Sequence, residues 1–151
     1  MPALIRTVAA VIADERGHVL LVRKQHSAVF IQPGGKREPE ESSLQTLARE
    51  LHEELGVTIV EGSATRLGEF EADAVNEPGR RVRAEAFAVC ITGVPQAGAE
   101  IAELIWLNTN AAFPVSVAPL SSQHILPAWA RTYFAITPQA MRAPPPPSGI
   151  G

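Results

Sequence analysis

Three glutamates crowd one turn of the chain. In RELHEELGV, residues 49–57, Glu50, Glu53 and Glu54 follow Arg49 and precede Gly56. Like charges three or four residues apart on a helix repel by a few tenths of a kcal/mol per pair, so the grouping calls for a partner of opposite charge. At 3.6 residues per turn the three side chains fall within about 100° of one another, on the side away from the neighbouring leucines. Their carboxylates can therefore converge on one point. Oxygen-only ligands suit Mg²⁺, with Mn²⁺ as a substitute, better than zinc. Mg²⁺ takes its remaining ligands from water and phosphate, so a metal here implies a phosphate-bearing substrate. Taken alone, the cluster fits a solvated acidic helix face equally well.

The residues before it favour chemistry. Pro33-Gly34-Gly35 separates a strand-like segment from the acidic helix, and glycines let a backbone approach a ligand closely. Lys36 and Arg37 adjoin that loop and can meet phosphate oxygens.

Gly35, Glu41, Arg49-Glu50-Leu51, Glu53-Glu54 and Gly56-Val57 together match the Nudix box, G-x5-E-x7-R-E-U-x-E-E-x-G-U with U apolar, at all nine specified positions. The chain thus resembles the Nudix hydrolases, and its single-domain size is similar to that of MutT-like members. The resemblance implies an α/β/α sandwich with a mixed sheet between helices. It also implies Mg²⁺-dependent hydrolysis of a diphosphate linkage in a nucleoside diphosphate derivative. By carry-over, Glu50, Glu53, Glu54 and the Gly34 carbonyl are metal ligands, and Glu50 is also a candidate base. Arg49 orients a glutamate, Glu41 supports it, Gly35 shapes the loop and Lys36 lies near the phosphates. Glu71, Asp73, Glu100 and Glu103 are candidates for an assisting carboxylate outside the box. Expected substrates are (d)NTPs, with ADP-ribose or nucleotide sugars as the alternative. A nucleotide-sensing module without catalysis is the alternative of another class, and the intact box argues against it.

Other substrate contacts are less defined. Arg23 and Lys24 end a strand near the box, where either can touch phosphate or base. Arg80, Arg81 and Arg83 form a basic hairpin able to steer an anion. Phe30, Phe70, Phe87 and Trp106 are aromatic rings on strand-like segments, available for core packing or base stacking. The four histidines show no metal-ligand spacing.

The elements that must hold these groups can be read from periodicity. Leu44, Leu47, Ala48, Leu51 and Leu55 recur on one helical face. Ser42 and Gln45 form a capping box, and Gly56 stands at the C-cap, predicting a helix over 43–55. Residues 4–13 read as a strand buried on both faces. The turn DERG joins it to a second strand, 18–24, as a hairpin. VTIVEG, TRLGEFEA, RVRAEAFAVCIT and ELIWL read as further strands, with NEPGRR as a hairpin tip. SSQHILPAWARTYF reads as a final helix that Pro127 starts or kinks.

The whole chain sets the outer bounds. Its 151 residues, 46% hydrophobic and 19% charged, make one domain over 1–138 with a proline-rich tail over 139–151. A net charge of −3 gives no support for binding a nucleic acid polymer. No run of apolar residues reaches membrane-spanning length, and no secretory signal is evident, so a cytoplasmic location is expected. The single cysteine, Cys90, lies in an apolar run and is expected to be buried. By family analogy a homodimer is possible, with apolar surface from Leu120 to Phe134.

Overall fold

Alternation along two strands decides the architecture. In the computed structural model, which describes residues 4–98 and 100–136, Val8, Ala10 and Ile12 point to one core and Ala9 and Val11 to another. Leu20 and Val22 join the first core, while Val19 and Leu21 join the second. Successive side chains of a strand face opposite sides, so residues apolar at every position need cover on both faces.

Nine strands supply the sheets: β1 (Leu4–Val11), β2 (Val19–Lys24), β3 (Phe30–Ile31), β4 (Gly34–Lys36), β5 (Thr58–Ile59), β6 (Thr65–Asp73), β7 (Arg81–Ala88), β8 (Ile91–Thr92) and β9 (Ile101–Leu107). One mixed sheet has the order β4-β1-β7-β6, with β1 and β7 parallel. A second, antiparallel sheet has the order β3-β2-β9, and β5 and β8 form a short pair. The helix α1 (Ser43–Leu55) covers the first core with Leu47, Leu51 and Leu55. A π-helical turn, Leu120–Ile125, runs into α2 (Leu126–Ile136) and covers the second with Ile125, Leu126 and Trp129. The result is the expected α/β/α sandwich with a mixed sheet.

α1 occupies the predicted residues, and both caps are present. Gln45 N–H donates to Ser42 Oγ at 3.1 Å, and Ser42 N–H donates to Gln45 Oε1 at 2.8 Å. Gly56 closes the helix at φ 69° and donates its N–H to the His52 carbonyl. Two further N–H groups cap the frayed carbonyls: Gln96 donates to Leu55 and Gly98 to Glu54.

Several expectations need correction. The turn after β1 forms, and Ala13 bridges Val19, but β1 and β2 then diverge into different sheets rather than making a hairpin. β1 is needed between β4 and β7, and β2 between β3 and β9. The segment 57–62 keeps only Thr58–Ile59 as strand, and 81–92 breaks into β7 and β8 at Val89-Cys90. Cys90 is exposed, not buried. Leu44 and Ala48 are also exposed, because the buried side of α1 runs through Thr46, Leu47, Leu51, Glu54 and Leu55. The widened turn before Pro127 has a local cause. Proline lacks an N–H and its ring crowds the carbonyl four residues back, and Leu126 N–H instead reaches the Ser121 carbonyl. The tail over 139–151 lies outside the described residues.

Candidate active site

α1 fans its glutamates from solvent to core. The Glu53 side chain is 58% exposed and Glu50 18%, while Glu54 as a residue is 7% exposed. Helical spacing explains the order, since Glu54 lies nearest the Leu51–Leu55 face and Glu53 farthest from it. Gly34 N–H donates to Glu54 Oε1 at 3.3 Å. Burial pushes the Glu54 carboxyl up to about 8, and the Glu50 charge beside it adds to the rise, against the Gly34 N–H and the Lys24 charge.

The two glycines of β4, the short strand before α1, are shaped around these acids. A Cβ on Gly35 would sit 2.4–2.7 Å from the Glu50 carboxylate, so only glycine lets that group approach. Gly34 has φ 148°, and a Cβ there would meet the Val8 carbonyl oxygen at 2.0 Å.

Arg49 ties the cluster together. Its Nε is 3.1 Å from Glu41 Oε2 and its Nη2 3.0 Å from Glu41 Oε1, a two-pronged pair. Its Nη1 reaches Glu50 at 3.2 Å and Glu53 at 3.5 Å. Thr46 Oγ1 donates to Glu41 at 2.9 Å. The Arg49 guanidinium holds the Glu41 carboxyl below its ordinary range, and Glu41 in turn raises Arg49. Arg49 therefore stands between Glu50 and Glu53. Among the described residues no three acidic, histidine or cysteine side chains are gathered closely enough to hold an ion as they stand. The convergence of all three glutamates expected from helical spacing is not present here, because Glu53 leans to Arg49. The donor set nevertheless fits a hard divalent cation. Glu54 is a buried carboxyl beside a second carboxylate, Glu50, and both are oxygen donors of the kind such an ion takes.

A cleft of about 170 Å³ adjoins these acids. Gly34 and Gly35 belong to both, lining the cleft and contacting Glu54 and Glu50. Lys24 and Lys36 line it as well. Arg23 does not. Its Nη1 donates to the Ser27 carbonyl at 2.9 Å and its Nε is 3.3 Å from Glu103. Lys36 is 3.3 Å from Glu77, in the β6–β7 connection, which also borders the cleft.

The other sequence candidates are scattered. Glu71 is paired with Arg81 and Arg83 across β6 and β7, and those guanidinium groups hold its carboxyl below the usual range. Asp73 borders the cleft, 2.9 Å from Arg81. Glu100 is exposed with φ 71°. Arg80 pairs with Glu77. Phe30 and Phe87 are core, Phe70 stacks on His124, and Trp106 is 38% exposed. Two polar residues that motif spacing does not mark, Gln32 and Ser121, also line the cleft and are buried. A glutamine inside the apolar run VFIQP was the available sign of the first.

The Nudix domain model matches residues 3–128. The CTP pyrophosphohydrolase of Escherichia coli K12 is 35% identical over 122 residues, covering 77% of this chain and 84% of that protein. The solution structure of the E. coli ORF135 protein superposes with a TM-score of 0.70 at 28% identity, over 89% of this chain and 94% of that one. The MutT protein from Methanosarcina mazei Go1 gives a TM-score of 0.70 at 25% identity, over 87% and 96%. No helix among the described residues is long and apolar enough to cross a membrane. With the family model matching most of its length and a relative at 35% identity, the chain belongs to the Nudix hydrolases, which act on pyrophosphate bonds.

Proposed function

We propose that this chain is a Mg²⁺-dependent pyrophosphohydrolase of nucleoside triphosphates, with Mn²⁺ able to replace Mg²⁺. The observation that carries the reading is the buried Glu54 carboxyl beside Glu50, next to the two β4 glycines that also line a cleft. Glu50, Glu53 and Glu54, with the Gly34 carbonyl, would hold the ion. When bound, it neutralises the diphosphate and makes water a better nucleophile. Lys24 and Lys36 meet the phosphates in the cleft, where Glu77 must release Lys36. Arg49 aligns Glu50 by one guanidinium prong while Glu41 fixes the others. Glu50 accepts the proton of the attacking water as the P–O bond to pyrophosphate breaks. Positioning and charge neutralisation carry most of such a reaction. The CTP pyrophosphohydrolase relative supports a nucleoside triphosphate as substrate.

The test is turnover of a panel, (d)NTPs, ADP-ribose and a nucleotide sugar, with Mg²⁺ and with EDTA. The expected result is nucleoside monophosphate and pyrophosphate from a triphosphate, abolished by EDTA. Cleavage of ADP-ribose or the sugar alone would replace the substrate class. Failure of every substrate with folded, Mg²⁺-loaded protein would refute the catalytic reading.

A further inference from the structure

Gln32 follows β3 and is 6% exposed. Its amide is oriented by the backbone: Nε2 donates to the Ala10 carbonyl at 3.0 Å. A carbonyl only accepts, so the amide cannot turn over without losing that bond. Oε1 is thereby fixed as the free end. It is buried and has no hydrogen-bond partner, the only such buried side-chain atom among the described residues. A buried acceptor without a donor is costly, and native structures rarely tolerate one without a use.

The surroundings show what the use is. Gln32 lines the cleft that Gly34, Gly35, Lys24 and Lys36 share. Ile31, Val8, Val82 and Ile125 supply apolar walls, suited to the face of a flat ring. Ser121, 2% exposed, lines the same cleft. Gln32 thus brings one obligate acceptor into the cleft lining, among aliphatic residues and next to cations that fit phosphates.

Resting on the nucleotide reading above, we infer that Gln32 selects the base: its Oε1 accepts an N–H from an exocyclic amino group on the ring edge. The substrate class is a nucleotide with an amino-bearing base, a 4-aminopyrimidine or a 6-aminopurine. A keto base would set its oxygen against Oε1. Turning the amide to greet that oxygen would strip Ala10 of its donor, so the site discriminates against keto bases rather than adapting to them. Gln32 contacts the base and not the reacting phosphorus, so its effect falls on the choice of base and not on the hydrolytic step.

Two arms test this. The first uses the unaltered protein and compares kcat/KM for CTP, UTP and the N4,N4-dimethyl analogue of CTP, and for ATP against ITP. The expected result is a preference of at least about tenfold for CTP over UTP and for ATP over ITP. The dimethyl analogue, which lacks the amino N–H, should fall with the keto substrates. The second arm uses Gln32→Leu and Gln32→Glu, checked for folding by their thermal transitions. Gln32→Leu should level the CTP:UTP ratio while cleavage of UTP persists. Gln32→Glu cannot donate to the Ala10 carbonyl, so its acceptor is no longer fixed and the preference should level there as well. Equal turnover of amino and keto bases by the unaltered protein, or an unchanged ratio in Gln32→Leu, overturns the inference while leaving pyrophosphohydrolysis intact. No cleavage of any triphosphate would instead defeat the reading on which it rests.

Discussion

Burial of Glu54 sets a pH dependence that can be read without any substrate. The folded-state carboxyl lies at about 8, above its ordinary value of 4.5. The folded metal-free protein therefore binds a proton that the unfolded chain has released. The contribution to stability is fully present below about pH 4.5 and is lost as pH rises through 8. Glu41 and Glu71, held low by arginines, act in the opposite sense and lose their contribution only as pH falls through their folded values. Urea denaturation of metal-free protein should show stability declining over that upper window, and Glu54→Gln should flatten the decline. Equal slopes in the two proteins would contradict the assigned burial. The Arg49–Glu41 pairing was legible in the sequence as an expected partner of the box arginine. The depth of Glu54 was not. Helical spacing put all three glutamates opposite the leucines, whereas the N–H groups of Gly34 and of Gly98, in the β8–β9 connection, reach the Glu54 side chain and carbonyl. Cover from distant segments leaves no local trace in a helix.

At the scale of elements, the two glycines that open β4 distinguish folding from chemistry. Gly34→Ala would drive a Cβ into the backbone oxygen of Val8 and hold a side chain at φ 148°. It should cost about 1–3 kcal/mol of stability, visible as a lowered thermal midpoint. Gly35→Ala would meet the end of the Glu50 side chain, which can swing aside. That variant should fold with nearly unchanged stability yet lose about a hundredfold or more in turnover, by displacing Glu50. An active Gly35→Ala would separate Glu50 from the chemistry. α1 was readable to the residue because its capping box and C-cap glycine are local signals. Strand partners were not, since β1 and β2 look like a hairpin until the parallel pairing with β7, about 80 residues away, takes β1. The break at Cys90 was hidden for a related reason, as an unbroken apolar run gives no sign of two different partners for its halves.

Across the whole molecule, two apolar cores on either side of the strands hold α1 and α2 apart, and the cleft opens beside the β4 glycines between them. The cluster of carboxylates, costly to a helix on its own, is thereby placed beside that cleft, where we propose an ion and a diphosphate share it. The family and the box could be read from one sequence, whereas the cleft is assembled from β1, β2, β3, β4, β6, β7 and the π-helical turn and required the fold. The most direct test of the account is Mn²⁺ binding, followed by the electron paramagnetic resonance signal of the free ion, in the unaltered protein and in Glu54→Gln. Saturable binding that weakens by about a hundredfold or more in the variant, with its thermal midpoint retained, is the predicted result. Equal Mn²⁺ affinity in the two proteins would contradict it and would place the ion, if any, away from the buried acid.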